Sequence, residues 1–339
     1  MSPHIVVVGA GPGAGAHLRA LHAMGCPPAA VVTHDPERAA RVRELFPGTT
    51  ICWPTAAALD RGADLVIVAS PAGTHLDVVR LAAGRRIDVV VEKPIEASID
   101  RAHQLVGLCQ LAPVGLAVCF QHRVKPAGRA LSALWRSGAL GRFTGGTVCV
   151  PWWRPASYFA GRGRGTYARD GGGVLATQAI HALDLLLWTV GVPRRVRAHA
   201  SRAVHPIEAE DTVAGVLDYG EGRLVSVHAT VAAYPGREEE LWLTGTAGSL
   251  LLRGADLLRY TEPGAEPERV VSDEGASTAA ADPAATPTAW HRVLLADALD
   301  AFATGRSPVA DGGSALTTQR VVAALYASAH EDRWVDLTR

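Results

Sequence analysis

Short aliphatic runs alternate with amphipathic stretches through the first third of the chain. Residues 5–8, 31–32, 64–69, 87–91 and 114–119 are dominated by Val, Ile, Leu and Ala and read as strands. Between them, residues 14–24, 36–46, 74–83 and 99–111 carry apolar side chains at helical spacing. The second of these helices opens on Asp35-Pro36-Glu37-Arg38, with Asp35 as N-cap and Pro36 in the first helical position. Strand and helix in alternation predict a parallel, doubly wound α/β sheet.

After about residue 120 the texture changes. Helical patterns at 127–137 and 180–189 are followed by strands separated by tight turns, Tyr219-Gly220-Glu221-Gly222 and Gly245-Thr246-Ala247-Gly248, with 224–231 the clearest strand. This half reads as an α+β domain with an open, mostly antiparallel sheet. Residues 262–287, rich in Ala, Pro, Glu and Gly, read as a solvated loop before closing helices at 290–303 and 314–329. The expected division is a dinucleotide-binding domain at 1–120 and a second domain at 121–339, the closing helices being free to pack back on the first.

Bulk properties narrow the partners. With 33 basic and 33 acidic residues the charge sums to zero, so neither nucleic acid nor an anionic membrane is expected. The N-terminus has no basic leader, and no apolar stretch reads as reaching the roughly 20 residues of a membrane span, so a cytoplasmic protein is expected. Five scattered cysteines, Cys26, Cys52, Cys109, Cys119 and Cys149, argue against a disulfide framework or a cysteine-built metal site, and no metal is expected. Of 33 basic residues only Lys93 and Lys125 are lysines, which draws attention to places where a compact ammonium serves better than a guanidinium.

The first strand runs into Gly9-Ala10-Gly11-Pro12-Gly13-Ala14, a G-x-G-x-x-A turn opening a helix. Gly9 permits the turn, Gly11 lets the backbone approach a pyrophosphate, Ala14 keeps helix and strand close, and the helix N-terminus favours the anion. The carboxylate that grips the ribose of NAD about 20 residues on is replaced by Thr33, followed by His34. Thr33, His34 and Arg38 together suit a 2′-phosphate, so the expected cofactor is NAD or NADP, with NADP favoured.

Val89-Val90-Val91-Glu92-Lys93-Pro94 ends the strand at 87–91, in the region where such sheets place their ligands. With the glycine turn, this Glu-Lys-Pro resembles the Gfo/Idh/MocA oxidoreductases, the glucose-fructose oxidoreductase and inositol dehydrogenase family. The resemblance continues through His17, Ser70-Pro71 with His75, Phe120-Gln121-His122-Arg123, Leu140-Gly141-Arg142, Arg164-Gly165-Thr166, Gly171-Gly172-Gly173, His181-x-x-Asp184, Glu210-Asp211-Thr212 and Gly245-Thr246-x-Gly248. It implies a Rossmann domain, and a second domain whose sheet makes homodimer or homotetramer contacts. It also implies a sugar-like substrate between the domains over the nicotinamide.

Lys93 and His181 are then the catalytic pair, the imidazole moving a proton and the ammonium stabilising an alkoxide. Ser70, Pro71, His75, Glu92, Lys93 and Gln121 join the cofactor residues, while Tyr158, Arg164, Thr177 and Asp184 are candidate substrate contacts. The Trp152-Trp153 pair reads as core. Inositol dehydrogenase-like members carry an aspartate where this chain has Thr177, which leaves His181 dependent on Asp184, Asp170 or substrate for support. The implied activity is hydride transfer to or from a secondary hydroxyl of a sugar, nucleotide sugar, aminoglycoside-like glycoside or cyclitol. Two alternatives are a glycoside hydrolase or lyase using transient oxidation, and a non-catalytic nucleotide-binding regulator.

Overall fold

The computed structural model describes residues 3–161, 163–272 and 288–337. The chain forms two compact units, Met1–Gln121 with Pro287–Leu316, and His122–Thr286 with Thr317–Arg339.

The first unit runs β1 (Ile5–Val8), α1 (Pro12–Ala23), β2 (Ala30–Val32), α2 (Pro36–Leu45), β3 (Thr50–Cys52), α3 (Thr55–Leu59), β4 (Leu65–Val68), α4 (His75–Ala83), β5 (Asp88–Val91), α5 (Ile99–Leu111) and β6 (Leu116–Val118). The six strands are parallel in the order β3-β2-β1-β4-β5-β6. The strand order reverses at β1, the switch point where sheets of this kind bind dinucleotides. Central strands have no polar face because helices cover both sides, and Ile5, Val7, Val66, Ile67, Val89 and Val90 are fully buried. β3 and α3 were not expected from the sequence; three and five residues are too short to show a period.

A return of the chain completes this unit. Helix α10 (Thr288–Thr304) packs on α1, and a Cβ on Gly115 would lie 2.3 Å from the Phe302 ring. Val118 N–H donates to Ala310 O at 2.8 Å, and Ala117 bridges Asp311. The outer edge of β6 is thereby sealed.

The second unit contains α6 (Pro126–Arg136), β7 (Phe143–Pro151), α7 (Ala156–Phe159), α8 (Tyr167–Asp170), α9 (Ile180–Val190), β8 (Arg195–Ser201), β9 (Thr212–Asp218), β10 (Leu224–Thr230), β11 (Glu240–Gly245), β12 (Gly248–Arg253), β13 (Asp256–Tyr260), β14 (Glu268–Val271), most of α11 (Gly312–Glu331) and β15 (Val335–Asp336). Its nine-stranded sheet has the order β14-β13-β12-β11-β7-β10-β9-β8-β15, antiparallel throughout except for the β7/β10 pair. Side chains alternate: Val148, Val150, Val196, Val213, Leu217, Val225, Leu241 and Leu243 are buried, and α6 and α9 pack on this sheet.

Two expectations are corrected here. The stretch read as a solvated loop, 262–287, is a mostly exposed turn at 262–267 but then contains β14, which pairs with β13 in a segment whose polar composition hides the pairing; 273–287 lie outside the described residues. Residues Tyr167–Val190, moreover, are long and apolar enough by composition to cross a membrane. They are mostly buried, and the backbone turns left-handed at Gly171, φ +79°.

Candidate functional site

At the end of β1 the chain enters the glycine turn. Gly9 has φ +106°, and a Cβ there would lie 2.6 Å from Ala69 O on the adjacent β4 loop, so only glycine fits. Gly11 is the N-cap of α1 and Pro12 its first residue. No side chain caps this helix and no acidic residue sits in its first turn. Pro12 and Gly13 are exposed while Ala14 is fully buried. An exposed helix start with unclaimed N–H groups fits the diphosphate of a dinucleotide.

Beside it, at the end of β2, Asp35 caps α2 by accepting from Glu37 N–H and Arg38 N–H, both 3.1 Å, and its other oxygen pairs with Arg38 Nε at 2.9 Å. The capping bond to Arg38 is the main reason its carboxyl titrates below the usual range. Thr33 Oγ1 accepts from Asp35 N–H at 3.2 Å, and exposed His34 meets Trp53 edge-on. The Arg38 guanidinium reaches back to 3.5 Å from where a Cβ on Gly11 would be. Thr33, His34 and Arg38 thus gather next to the glycine turn.

The loops after β4 and β5 are tied together. His75 sets one ring nitrogen 2.9 Å from Ser70 O and the other 3.2 Å from Ile95 O, just beyond Pro94. Ser70 Oγ meets Thr74 Oγ1 at 2.8 Å, and Thr74 Oγ1 donates to the carbonyl of Pro71. Gln121, at the end of the unit, holds a buried Oε1 with no hydrogen-bond partner among the described residues.

Glu92 is the centre of this corner. Its Oε1 lies 2.8 Å from His17 Nε2 and 3.9 Å from His291 Nε2, and its Oε2 accepts the Lys93 N–H at 3.1 Å. Burial alone would raise its pKa. The hydrogen bond and charge of His17, with His291 and Lys93, outweigh burial and bring it down to about 2. His291 goes the other way for an imidazole: burial, then the neighbouring His17, push it down to about 4 against the pull of Glu92. The buried Cys119 thiol is driven well above its ordinary value by burial and by Glu92, to which it donates. A Glu92 carboxylate so supplied with donors holds the backbone from which Lys93 springs.

His17, Glu92, Cys119 and His291 each present one donor atom, all within 4.8 Å of one another, a set that could hold a metal ion. Three observations favour the ion-pair network instead. Glu92 is already engaged by three donors, Arg19 and Lys93 add positive charge, and among the described residues neither His17 Nδ1 nor His291 Nδ1 has the outer partner that usually orients a metal-bound imidazole. Cys119 and His291 were not singled out from the sequence, because nothing local marks a residue on β6 or α10 as facing Glu92.

In the second unit the triple glycine makes close approaches: a Cβ on Gly173 would lie 1.7 Å from Glu210 O. Glu210 accepts from Gly173 N–H, Leu175 N–H and the Tyr326 hydroxyl at 3.0, 3.0 and 2.9 Å, and burial raises its pKa despite these neutral donors. Those bonds brace a π-type turn at Leu175–Ala179, a departure from α-helix common at functional sites. It carries Thr177, whose hydroxyl donates to Gly173 O at 2.6 Å, and Gln178, whose Nε2 donates to Tyr158 Oη at 3.2 Å. Arg164 stacks over the Tyr158 ring at 4.2 Å and donates to Tyr158 O. Tyr158, Arg164, Gln178 and Thr177 are therefore brought together; Gln178 was missed by sequence reasoning. Trp152 is buried, whereas Trp153 is half-buried and edge-on to Tyr234.

His181, buried in the first turn of α9, stacks on His122 with ring centroids 4.9 Å apart and planes inclined by 25°. Each of the two aspartates offered from the sequence as its support has partners of its own. Asp170 accepts from Gly165 N–H and pairs with Arg169. Asp184, fully buried, takes Arg123 at 2.8 and 2.6 Å and Thr318 at 2.8 Å. Asp184, expected as a substrate contact, is thus engaged in an enclosed ion pair within the unit.

The oxidoreductase family with an NAD-binding Rossmann fold, GFO/IDH/MocA, matches residues 4–120, and the GFO/IDH/MocA C-terminal domain matches 129–251. The chain is 27% identical to a D-apiose dehydrogenase of Rhizobium rhizogenes over 91% of its own length and 90% of the relative's. It is also 27% identical to a D-xylose 1-dehydrogenase (NADP(+)) of Haloferax volcanii, over 91% of each. The structure of the WlbA dehydrogenase from Bordetella pertussis, in complex with NADH and UDP-GlcNAcA, superimposes with a TM-score of 0.87 at 25% identity, covering 100% of this chain and 98% of that one.

Proposed function

Because the chain belongs to the Gfo/Idh/MocA oxidoreductase family, with its NAD-binding Rossmann fold, we propose that it transfers a hydride between a nicotinamide coenzyme and a secondary hydroxyl or ketone of a sugar-like substrate. Free sugars and nucleotide sugars lead the substrate classes, since the relatives are named for D-apiose and D-xylose and the WlbA structure carries UDP-GlcNAcA. Aminoglycoside-like glycosides and cyclitols come next. The observation that carries this reading is the Glu92-Lys93 corner at the end of β5, fixed by His17 and set on the same sheet edge as the Gly9 turn.

In this reading the start of α1, with Gly9, Gly11, Pro12, Gly13 and Ala14, holds the pyrophosphate, and Ser70, Pro71, His75, Glu92 and Gln121 shape the remainder of the coenzyme site. When bound, the coenzyme donates or accepts the hydride. The Lys93 ammonium stabilises the alkoxide that forms as the hydroxyl loses its proton. His181 takes that proton at Nε2, its Nδ1 being enclosed. Tyr158, Arg164 and Thr177 hold the substrate hydroxyls. NADP is preferred over NAD: capping and pairing absorb the Asp35 charge, and Arg38 stands by the glycine turn to meet a 2′-phosphate.

The test is a screen of NAD and NADP against free sugars, nucleotide sugars and cyclitols, following the absorbance of the reduced nicotinamide, with Lys93→Met and His181→Ala alongside. Each variant loses at least about a hundredfold in turnover. Turnover of a glycoside without net coenzyme reduction would replace this reading with transient oxidation, and near-normal rates in either variant would remove that residue from the mechanism.

A further inference from the structure

Both aspartates hold partners of their own, Asp184 with Arg123 and Asp170 with Arg169, and the same unit offers His181 another source of support. Glu239, immediately before β11, is 6% exposed, and its Oε1 lies 3.4 Å from Nε2 of His122, which is 5% exposed. The other face of that contact is the His122 ring stacked on His181. Both ends are anchored through the backbone. Glu239 O accepts Gly254 N–H at 2.9 Å, and α6 presses so closely on the His122 carbonyl that a Cβ on Gly128 would lie 2.1 Å from it. An acid and two imidazoles, all at least nine-tenths buried, thus form one row from a sheet strand to the first turn of α9. Burying a carboxylate is costly, as the raised pKa of Glu239 records: burial lifts it, Lys125 draws it down and Glu238 adds to the rise. A side chain kept at that cost, with its Oε2 left without a hydrogen-bond partner, points to a task beyond packing.

We propose that Glu239 and His122 are positioning residues for His181, Glu239 fixing the His122 ring and the His122 ring fixing the plane of the His181 imidazole. They do the work that a carboxylate one turn before the histidine would do, at the place where this chain has Thr177. A flat ring held within 25° of parallel restricts rotation of the His181 side chain, so its Nε2 stays aimed as the proton moves. The inference rests on the reading of His181 as the acid/base group.

Four variants test it, with turnover, KM, coenzyme affinity and melting temperature measured for each. His122→Ala lowers kcat about 30-fold and Glu239→Ala about 10-fold, both with KM within about twofold, the pattern of a misaimed catalytic group rather than a lost contact. His122→Phe, which keeps a flat ring, loses less than His122→Ala. Glu239→Gln, which keeps an oxygen of the same reach, stays within about threefold of the parent. Coenzyme affinity, set in the first unit, is unchanged in all four and reports that the chain has folded. Unchanged kcat in Glu239→Ala and His122→Ala, while His181→Ala is at least a hundredfold down, overturns the positioning role and leaves the proposed function standing. A rise in KM without loss of kcat overturns it too, as does a Glu239→Gln variant as impaired as Glu239→Ala. Full activity in His181→Ala removes His181 from the mechanism, and with it the reading on which this inference rests.

Discussion

Glu92 in the first unit and Glu210 in the second are both withdrawn from water, yet they respond in opposite directions. Glu92 is held at about 2 although burial pushes it upward, while Glu210 is raised although three donors converge on it. The difference lies in the donors. Glu92 faces His17, with His291 and Lys93 near, whereas Glu210 faces two backbone N–H groups and a tyrosine hydroxyl. At Glu210 the neutral donors do not outweigh burial, whereas at Glu92 His17, with His291 and Lys93, does. The first corner is therefore built to keep charges apart and fixed, and the second to brace a turn.

The most damaging test of this contrast is Glu92→Gln. It takes the carboxylate away from His17 Nε2 and from the Lys93 N–H, and the expected cost is about 3 kcal/mol in the first unit, with turnover falling with it. A melting temperature and rate near those of the parent would show that the pair is ornamental. Acid comes next. Glu92 has a folded pKa below its ordinary 4.5, so it contributes stability above that pH and loses it as pH falls toward about 2, a total of about 3 kcal/mol. His291, depressed from 6.5 to about 4, costs stability earlier, as pH falls from about 6.5 toward about 4. Glu210, raised when folded, has the opposite sign: its contribution is complete below the ordinary carboxylate range and declines as pH rises toward the folded value. Hydrogen exchange, corrected for its intrinsic pH dependence, is expected to show amides of β1 and β5 losing protection between pH values of about 6 and 3 before those of β9 and β10. The reverse order would break the comparison.

Smaller effects sharpen it. Glu210→Gln keeps one acceptor but turns an amide toward N–H groups, at a cost of about 1 to 2 kcal/mol seen in thermal melts. Loss as large as that of Glu92→Gln would mean that Glu210 is acting as a charge. At the exposed rim of the first unit, Arg38→Gln is expected to leave stability alone and to lower the NADP-to-NAD ratio of kcat/KM about tenfold. An unchanged ratio removes Arg38 from coenzyme selection.

Much of the first unit was legible because its signals are local. Strand β1 and helix α5 fall at their predicted bounds, and the Asp35 cap forms as its Asp-Pro-Glu-Arg context implies. The glycine turn and Glu-Lys-Pro carry their backbone demands in adjacent residues. What escaped depends on partners distant in sequence. The π-type turn under Thr177 is held by Glu210 and Tyr326, neither of which any helical pattern connects to it. Asp184 reads as one turn from His181, but only the fold shows Arg123 and Thr318 enclosing it. Likewise His122 and Glu239 are ordinary polar residues until β11 and α9 are set side by side.

The sealing of β6 by residues 310–311 also bears on how the protein is made. On a ribosome adding about 5 to 20 residues each second, a nascent chain that has delivered Gln121 waits some ~10 to 40 s for Leu316. During that interval the coenzyme half has an open hydrogen-bonding edge at β6 and a Glu92 not yet joined by His291. The half begun first is thus completed only after most of the second has been made.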